Sequence, residues 1–437
     1  MKKHTSILLL VVPFLILGKA YAAVPPSPRP EVREEVRASW NKSSGLDCLY
    51  DMSPKASTPV PKGYQATYIS HYGRHGSRYA HTDKAYLIPL EALRDGAASG
   101  NLTDRGFRLL QDLEKFWERN MYKVGDLTPL GWQQHRYIAE TMVESFPKAF
   151  GKGSVVDACS SASVRSIISM TSACSTISRE APKASVYAHQ GIMDIQATRP
   201  NIGGKNPFRY SGPATPFPYP ESGDELLLRK LPSYKDILGR LFKNPDVCLG
   251  SHTPFQFFFY YYMLIAGMNS LPEEERLDID GLLTTEEFAL LWEVDNHERL
   301  REYIKYLTAC SSIIDDIIAK ADERLSSSTR GADLRFGHDH VVLALLQIMD
   351  IDGFGRYPAT ADELPEWFQS FRSPMGANIQ MVFYTSRCGK KREPLVKFLL
   401  NGEEVTLGKV STDNWPYYTW EDARAWLKSR ADSFVYR

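Results

Sequence analysis

Within five residues, Arg74-His75-Gly76-Ser77-Arg78 sets two guanidinium groups and an imidazole around a glycine. The segment closes a run from Tyr64 to Tyr72 whose β-branched and aromatic residues read as a buried strand. Guanidinium forks bind the oxygens of a phosphoryl group bidentately. A neutral imidazole between them can attack phosphorus. Glycine lets the backbone approach closely.

Two later segments carry complementary groups. Arg165 closes Ser160-Ser161-Ala162-Ser163-Val164-Arg165, at a strand-to-helix junction, and Gly337-His338-Asp339-His340 follows the strand Leu334-Arg335-Phe336. In an open parallel sheet, ligands bind outside the carboxyl ends of the strands. All three segments fall at such ends, which predicts one shared site. There Arg74, Arg78, Arg165 and His338 would spread the charge of a phosphoryl group as phosphorus becomes pentavalent. The surrounding cations disfavour protonation of His75, so it keeps its lone pair and can form a phosphohistidine. Asp339 would supply the proton that a departing alkoxide needs, with His340 in reserve. Taken singly, Arg165 is an ordinary helix residue and His338-Asp339 an ordinary helix start. The joint occurrence, in this order and at strand ends, carries the reading.

The elements that must hold these residues alternate. Helical patterns begin at Thr103 and at Thr128-Pro129, where a threonine cap precedes a proline in the first turn. A short strand over 154–159, a helix over 161–178 with Val164, Ile167, Ile168 and Thr171 on one face, and a strand over 185–189 follow. This predicts an α/β fold with a mainly parallel sheet flanked by helices. Residues 199–223 are rich in proline and glycine, and almost only helical pattern follows to about 325, a predicted all-helical insertion. Its aromatic run, Phe255 to Tyr262, reads as core. Strands resume at 332–336 and 378–385, and Asn401-Gly402 marks a hairpin turn between 396–400 and 404–407. A helix over 420–430 closes the chain. The predicted division is residues 1–22 as a signal peptide, 23–60 as an extended lead-in, 61–198 with 330–437 as the α/β unit, and 199–329 as crossing loop and insertion.

The chain has 437 residues, 43% of them hydrophobic and 24% charged. Lys2 and Lys3, the apolar stretch from Ile7 to Leu17 and Ala20-Tyr21-Ala22 form a secretory signal, which predicts export to the periplasm or medium. That stretch is too short to span a bilayer, as is the later aromatic run Phe255 to Met268. With 52 basic and 52 acidic residues, removal of Lys2, Lys3 and Lys19 leaves the chain near −3. That balance excludes a nucleic-acid binder relying on broad phosphate neutralisation. None of Cys48, Cys159, Cys174, Cys248, Cys310 and Cys388 forms a Cys-x-x-Cys pair, so no zinc site is expected, and their pairing stays open. Asp278-Ile279-Asp280-Gly281 and Asp350-Ile351-Asp352-Gly353 read as turns rather than calcium loops.

Arg74-His75-Gly76-Ser77-Arg78 with the later His338-Asp339 resembles the histidine acid phosphatases, the large-insertion branch that includes phytases and multiple inositol polyphosphate phosphatases. Leu127-Thr128-Pro129-Leu130-Gly131-Trp132-Gln133-Gln134 is similar to the family's Leu-Thr-x-x-Gly-x-x-Gln helix start, and Arg165 to its Ser-x-x-Arg pattern. The resemblance spans roughly residues 64 to 350. It implies His75 as nucleophile, Asp339 as proton donor, Arg74, Arg78, Arg165 and His338 as phosphate ligands, and no metal or cofactor. Tyr79-Ala80 stands where the family often has proline, and His338-Asp339 is closer to the phytase donor motif than to His-Ala-Glu. The implied function is an exported phosphomonoesterase acting on small phosphorylated molecules, inositol polyphosphates such as phytate foremost. Lys205, Arg209, Arg229, Lys230 and Arg108 are candidates to hold further phosphates. A general acid or sugar-phosphate phosphatase and a non-catalytic secreted anion-binding protein are the alternatives.

Overall fold

The computed structural model describes residues 28–191, 193–200, 217–354, 357–387 and 392–434. The signal segment, Lys205, Arg209 and Cys388 lie outside them. Eight strands form one sheet: β1 Tyr64–Arg74, β2 Val155–Ser160, β3 Ser185–His189, β4 Gly331–Gly337, β5 Asn378–Ser386, β6 Leu395–Leu400, β7 Glu403–Glu404 and β8 Tyr417–Thr419. Their order is β3-β2-β4-β1-β5-β6-β7, with β8 also paired to β6. The strands β3, β2, β4 and β1 run parallel, and β5 to β8 extend the sheet antiparallel. Helices cover both faces, the α/β architecture expected.

Burial explains the strand order. From Ala66 onward every residue of β1 is buried, as is every residue of β4. Strands covered on both faces carry few polar residues, and those they carry must be paired. Asp333 accepts from Tyr68 and Arg324, and Arg335 pairs with Asp316 at 2.6 Å. The edge strand β3 is mostly exposed. Between β6 and β7, Asn401 and Gly402 adopt φ of 53° and 85°, the left-handed pair a two-residue hairpin turn requires.

The packing redraws the predicted boundaries. Residues 23–60 are not an extended lead-in throughout: Val32–Arg37 and Trp40–Ser43 are short helices. Val32 and Val36 are buried with the helical part. That part is not confined to 199–329 either. One apolar cluster joins the helices Lys84–Ala98 and Asp104–Asn120 to Pro254–Gly267 and the first half of Thr285–Tyr303. The helix Leu307–Ser327 belongs instead to the sheet, packed with Asp339–Met349 and Trp420–Phe434. Phe257, Phe258, Tyr261 and Tyr262 fill the helical core.

The helix Val164–Glu180 shows a second departure. Val164 and Ile168, expected on its inner face, are exposed, while Ser166, Ser169, Ala173 and Cys174 are buried. Small residues let the helix axis approach the sheet, and two of the serines have hydrogen-bonding work there. Cys48, Cys159, Cys174, Cys248 and Cys310 are free thiols. No helix among the described residues is long and apolar enough to cross a membrane, and no group of ligating side chains among them could hold a metal ion.

Candidate active site

Strand register brings the three segments together. Arg74 lies opposite Gly337 across β1 and β4, and Ser160 opposite Phe336 across β2 and β4. The His75 amide donates to the Gly337 carbonyl at 3.1 Å and the Ser161 amide to Phe336 at 2.9 Å. Three parallel strands therefore end level, and their next residues are His75, Ser161 and His338. Arg165 stands in the first turn of the helix that follows β2, and Asp339 opens the helix that follows β4.

The turn after β1 is clamped from below. A Cβ on Gly76 would lie 2.4 Å from the Gly131 carbonyl oxygen, and one on Gly131 would lie 2.3 Å from that of Ser77. Only two glycines permit this approach. Gln134 accepts from the Ser77 amide at 2.8 Å and donates to its hydroxyl at 3.0 Å, while the Thr128 amide donates to the Ser77 carbonyl at 2.8 Å. The Gly76 amide donates to Ser169 Oγ at 3.1 Å. The helix start Leu127-Thr128-Pro129-Leu130-Gly131-Trp132-Gln133-Gln134 is thus the seat of the Arg-His-Gly-Ser-Arg turn.

His75 is 1% exposed. Its Nδ1 lies 2.9 Å from the Gly76 carbonyl oxygen. A carbonyl only accepts, so Nδ1 carries the hydrogen and Nε2 keeps the lone pair. Burial, then the charges of Arg74, Arg165 and Arg78, hold the imidazole well below its ordinary pKa. His338 is likewise held neutral by burial and by His340, Arg199 and Arg165. Its Nε2 lies 3.0 Å from Ser161 Oγ. Asp339 is the opposite case. Burial alone would raise its pKa, but Arg74, His340 and His75 outweigh it and hold the carboxyl well below the usual range. Arg74 Nη2 stands 3.1 Å from Asp339 Oδ2.

These groups surround a cavity of about 110 Å³, lined by His75, Arg78, Arg165, His338 and Asp339 among others. Arg74 stands behind that wall, its Nη1 donating to the Leu46 and Ser373 carbonyls at 2.6 Å each. Its Nε is buried without a hydrogen-bond partner among the described residues, as are the Nε groups of Arg78, Arg165 and Arg199. Buried donors left open are uncommon in folded proteins and ask for an acceptor. An oxyanion in this cavity would provide it. A wider cavity of about 770 Å³ shares Arg299 and Glu302 with the first and is walled by Phe255, Phe259 and Tyr260.

The structure thus collects Arg74, His75, Arg78, Arg165, His338 and Asp339 in one place. Of the cations proposed to hold further phosphates, Lys205 and Arg209 lie outside the described residues, and the structure does not bring the other three to the site. Arg229 is paired with Glu221 and Asp362 at 2.7 Å each, and Lys230 with Glu293 at 2.8 Å and Asp362 at 2.7 Å. Arg108 is exposed on the helix Asp104–Asn120. None lines either cavity. Sequence reasoning missed Arg199, His81, Asp47, Arg299 and Glu302, which do line the smaller one. Arg299 sits in Asp295-Asn296-His297-Glu298-Arg299, where nothing separates it from a solvated helix charge.

No protein-family model matches the chain, and no curated protein matches its sequence. Solved structures match its fold. The multiple inositol polyphosphate phosphatase of Bifidobacterium longum in complex with phosphate matches with TM-score 0.69 at 16% identity, covering 89% of this chain and 98% of that one. Its complex with inositol hexasulfate matches with TM-score 0.67 at 15% identity, over 86% and 96%. The phytase of D. castellii matches with TM-score 0.63 at 14% identity, over 90% and 85%. The chain has the fold of the histidine acid phosphatases. Among them it is similar, over nearly its whole length, to an inositol polyphosphate phosphatase and to a phytase.

Proposed function

We propose that this chain is an exported phosphomonoesterase that hydrolyses phosphate esters through a phosphohistidine at His75, with inositol polyphosphates such as phytate as its main substrates. The observation that carries this reading is the ring of open buried guanidinium donors around a cavity that also holds a neutral imidazole. Arg78, Arg165 and His338, with the open edge of Arg74, bind the phosphoryl oxygens and stabilise the charge that develops on them. His75 Nε2 attacks phosphorus as the ester P–O bond breaks. Asp339 gives the departing oxygen its proton. Water then attacks the phosphohistidine, returns a proton to Asp339 and releases inorganic phosphate. None of these steps uses a metal.

Substrate scale supports the same reading. The smaller cavity accommodates a phosphoryl group, and the wider one beside it has room for the organic part of the ester. The fold matches proteins whose names specify inositol polyphosphates and phytate. The leader at residues 1–22 supports export. The test is phosphate release from phytate and from an aryl phosphate between pH 3 and 8, with the mature chain and its His75→Ala variant. The variant is expected to lose turnover by more than about a thousandfold. Preference for phytate supports the inositol reading, and turnover of the aryl ester alone moves the function to a general acid phosphatase. Equal release by both proteins would leave an anion-binding protein.

A further inference from the structure

Asp339 is held as a carboxylate in this structure, yet a proton donor must carry a proton. Its Oδ2 faces Arg74, which cannot lose one at any relevant pH. Its Oδ1 accepts from the His340 amide at 2.7 Å and lies 3.3 Å from His340 Nδ1. A carboxylate only accepts, so Nδ1 carries a hydrogen directed at Asp339. The His340 ring lies between Tyr306, at 4.4 Å between centroids, and His338, at 5.5 Å and 11° from parallel. Its Nε2 is buried without a hydrogen-bond partner among the described residues, and the residue lines the cavity.

We infer that His340 supplies Asp339 with the proton it donates, which makes it a positioning residue for the leaving-group step. This rests on the assignment of Asp339 as donor in the proposed function. The cavity that His340 lines also holds the acids Asp339, on its own helix, and Glu302, on the helix Thr285–Tyr303, and the bases Arg165 and Arg199. Neutral His338 and the Tyr306 hydroxyl complete the surroundings. An arriving phosphate dianion adds negative charge to this cavity, and His340 Nε2, open toward it, takes up a proton from solvent. The imidazolium then passes its Nδ1 proton to Asp339 Oδ1, leaving a neutral imidazole with hydrogen on Nε2. The carboxylic acid gives that proton to the leaving oxygen as the P–O bond breaks and the bond from His75 Nε2 to phosphorus forms. When water attacks the phosphohistidine, its proton returns to Asp339 and from there to His340.

Leaving-group dependence tests this. An aryl phosphate such as 4-nitrophenyl phosphate departs with little need of a proton, and an alkyl ester such as glycerol 2-phosphate needs one. His340→Asn and His340→Gln are expected to reduce kcat for the alkyl ester at least tenfold more than for the aryl ester. Imidazole added to His340→Ala should restore alkyl turnover selectively, which also shows that the variant is folded. Equal losses on both esters, a change in KM alone, or no loss would overturn the inference. Asp339→Asn, measured in parallel, separates the two readings. A leaving-group split there but not at position 340 sinks only the role of His340. No split in Asp339→Asn removes the donor assignment and the inference with it.

Discussion

An imidazole can act as a nucleophile only when it is neutral and one ring nitrogen keeps its lone pair, and for His75 both conditions come from its surroundings. The Gly76 carbonyl sets the tautomer, and burial with three arginines sets the charge. The same physics acts on two histidines beneath the site. His71 and His135 are fully buried, and burial lowers their pKa values to about 3 and about 4. Unfolded, each would titrate near 6.5. The unfolded chain therefore takes up protons below pH 6.5 that the folded chain refuses. Their contribution to stability is present above that pH and is lost as pH falls toward 4, by up to about 1.4 kcal/mol per pH unit for each histidine. Unfolding midpoints in urea should fall from pH 7 to pH 4, and His135→Gln should flatten the slope. A midpoint that stays level in the native chain would contradict this account.

At the scale of elements, the site depends on one close approach, between the turn after β1 and the start of the helix Pro129–Ser145. Ridge-and-groove packing does not hold it. Two glycines and a glutamine do, by allowing backbone to touch backbone and by satisfying the amide and hydroxyl of Ser77. A methyl group at Gly131 has nowhere to go except into the Ser77 carbonyl, so Gly131→Ala must push the turn and His75 outward. Overpacking of this kind costs about 1–3 kcal/mol. Thermal unfolding should show that loss together with weaker competitive inhibition by inorganic phosphate. A stability loss with unchanged phosphate affinity would mean that the turn is held by β1 alone.

Over the whole molecule, the site is a cleft between the sheet and the helical part, and Arg299 is where the helical part reaches into it. The residue pairs with Asp295 at 2.9 Å, and both side chains are largely buried. Burial raises the pKa of Asp295 to about 6, with Arg299 opposing. Arg299→Ala leaves that carboxylate buried without its cation, a loss of about 3–5 kcal/mol at pH 7. Loss of Arg299 raises that pKa further, so the difference from the native chain should shrink as pH falls toward 6 and be largely gone below it. Paired urea titrations at pH 7.5 and pH 5 would show it. A difference that does not vary with pH would rule out an electrostatic origin.

The amino-acid order alone determined the chemistry that adjacent residues can carry and the elements that local rules govern. Arg74-His75-Gly76-Ser77-Arg78, the threonine caps at 103 and 128, the Asn401-Gly402 turn and the alternation of strand and helix are all legible because each rests on contacts within a few residues. Strand ends at one edge of a parallel sheet also brought Arg165, His338 and Asp339 into the same reading. Tertiary structure alone decided which further charges face the cavity. Arg229 and Lys230 look as available in the sequence as Arg199 and Arg299, but the first two meet acids on neighbouring segments and the last two line the site. It also turned the helix Val164–Glu180 so that small residues face inward, against its apolar pattern. Helix periodicity reports which faces differ, whereas the face that packs is chosen by the shape of the partner. Partners distant in the chain leave no trace in local spacing, so the charge balance around the smaller cavity emerges only from the fold.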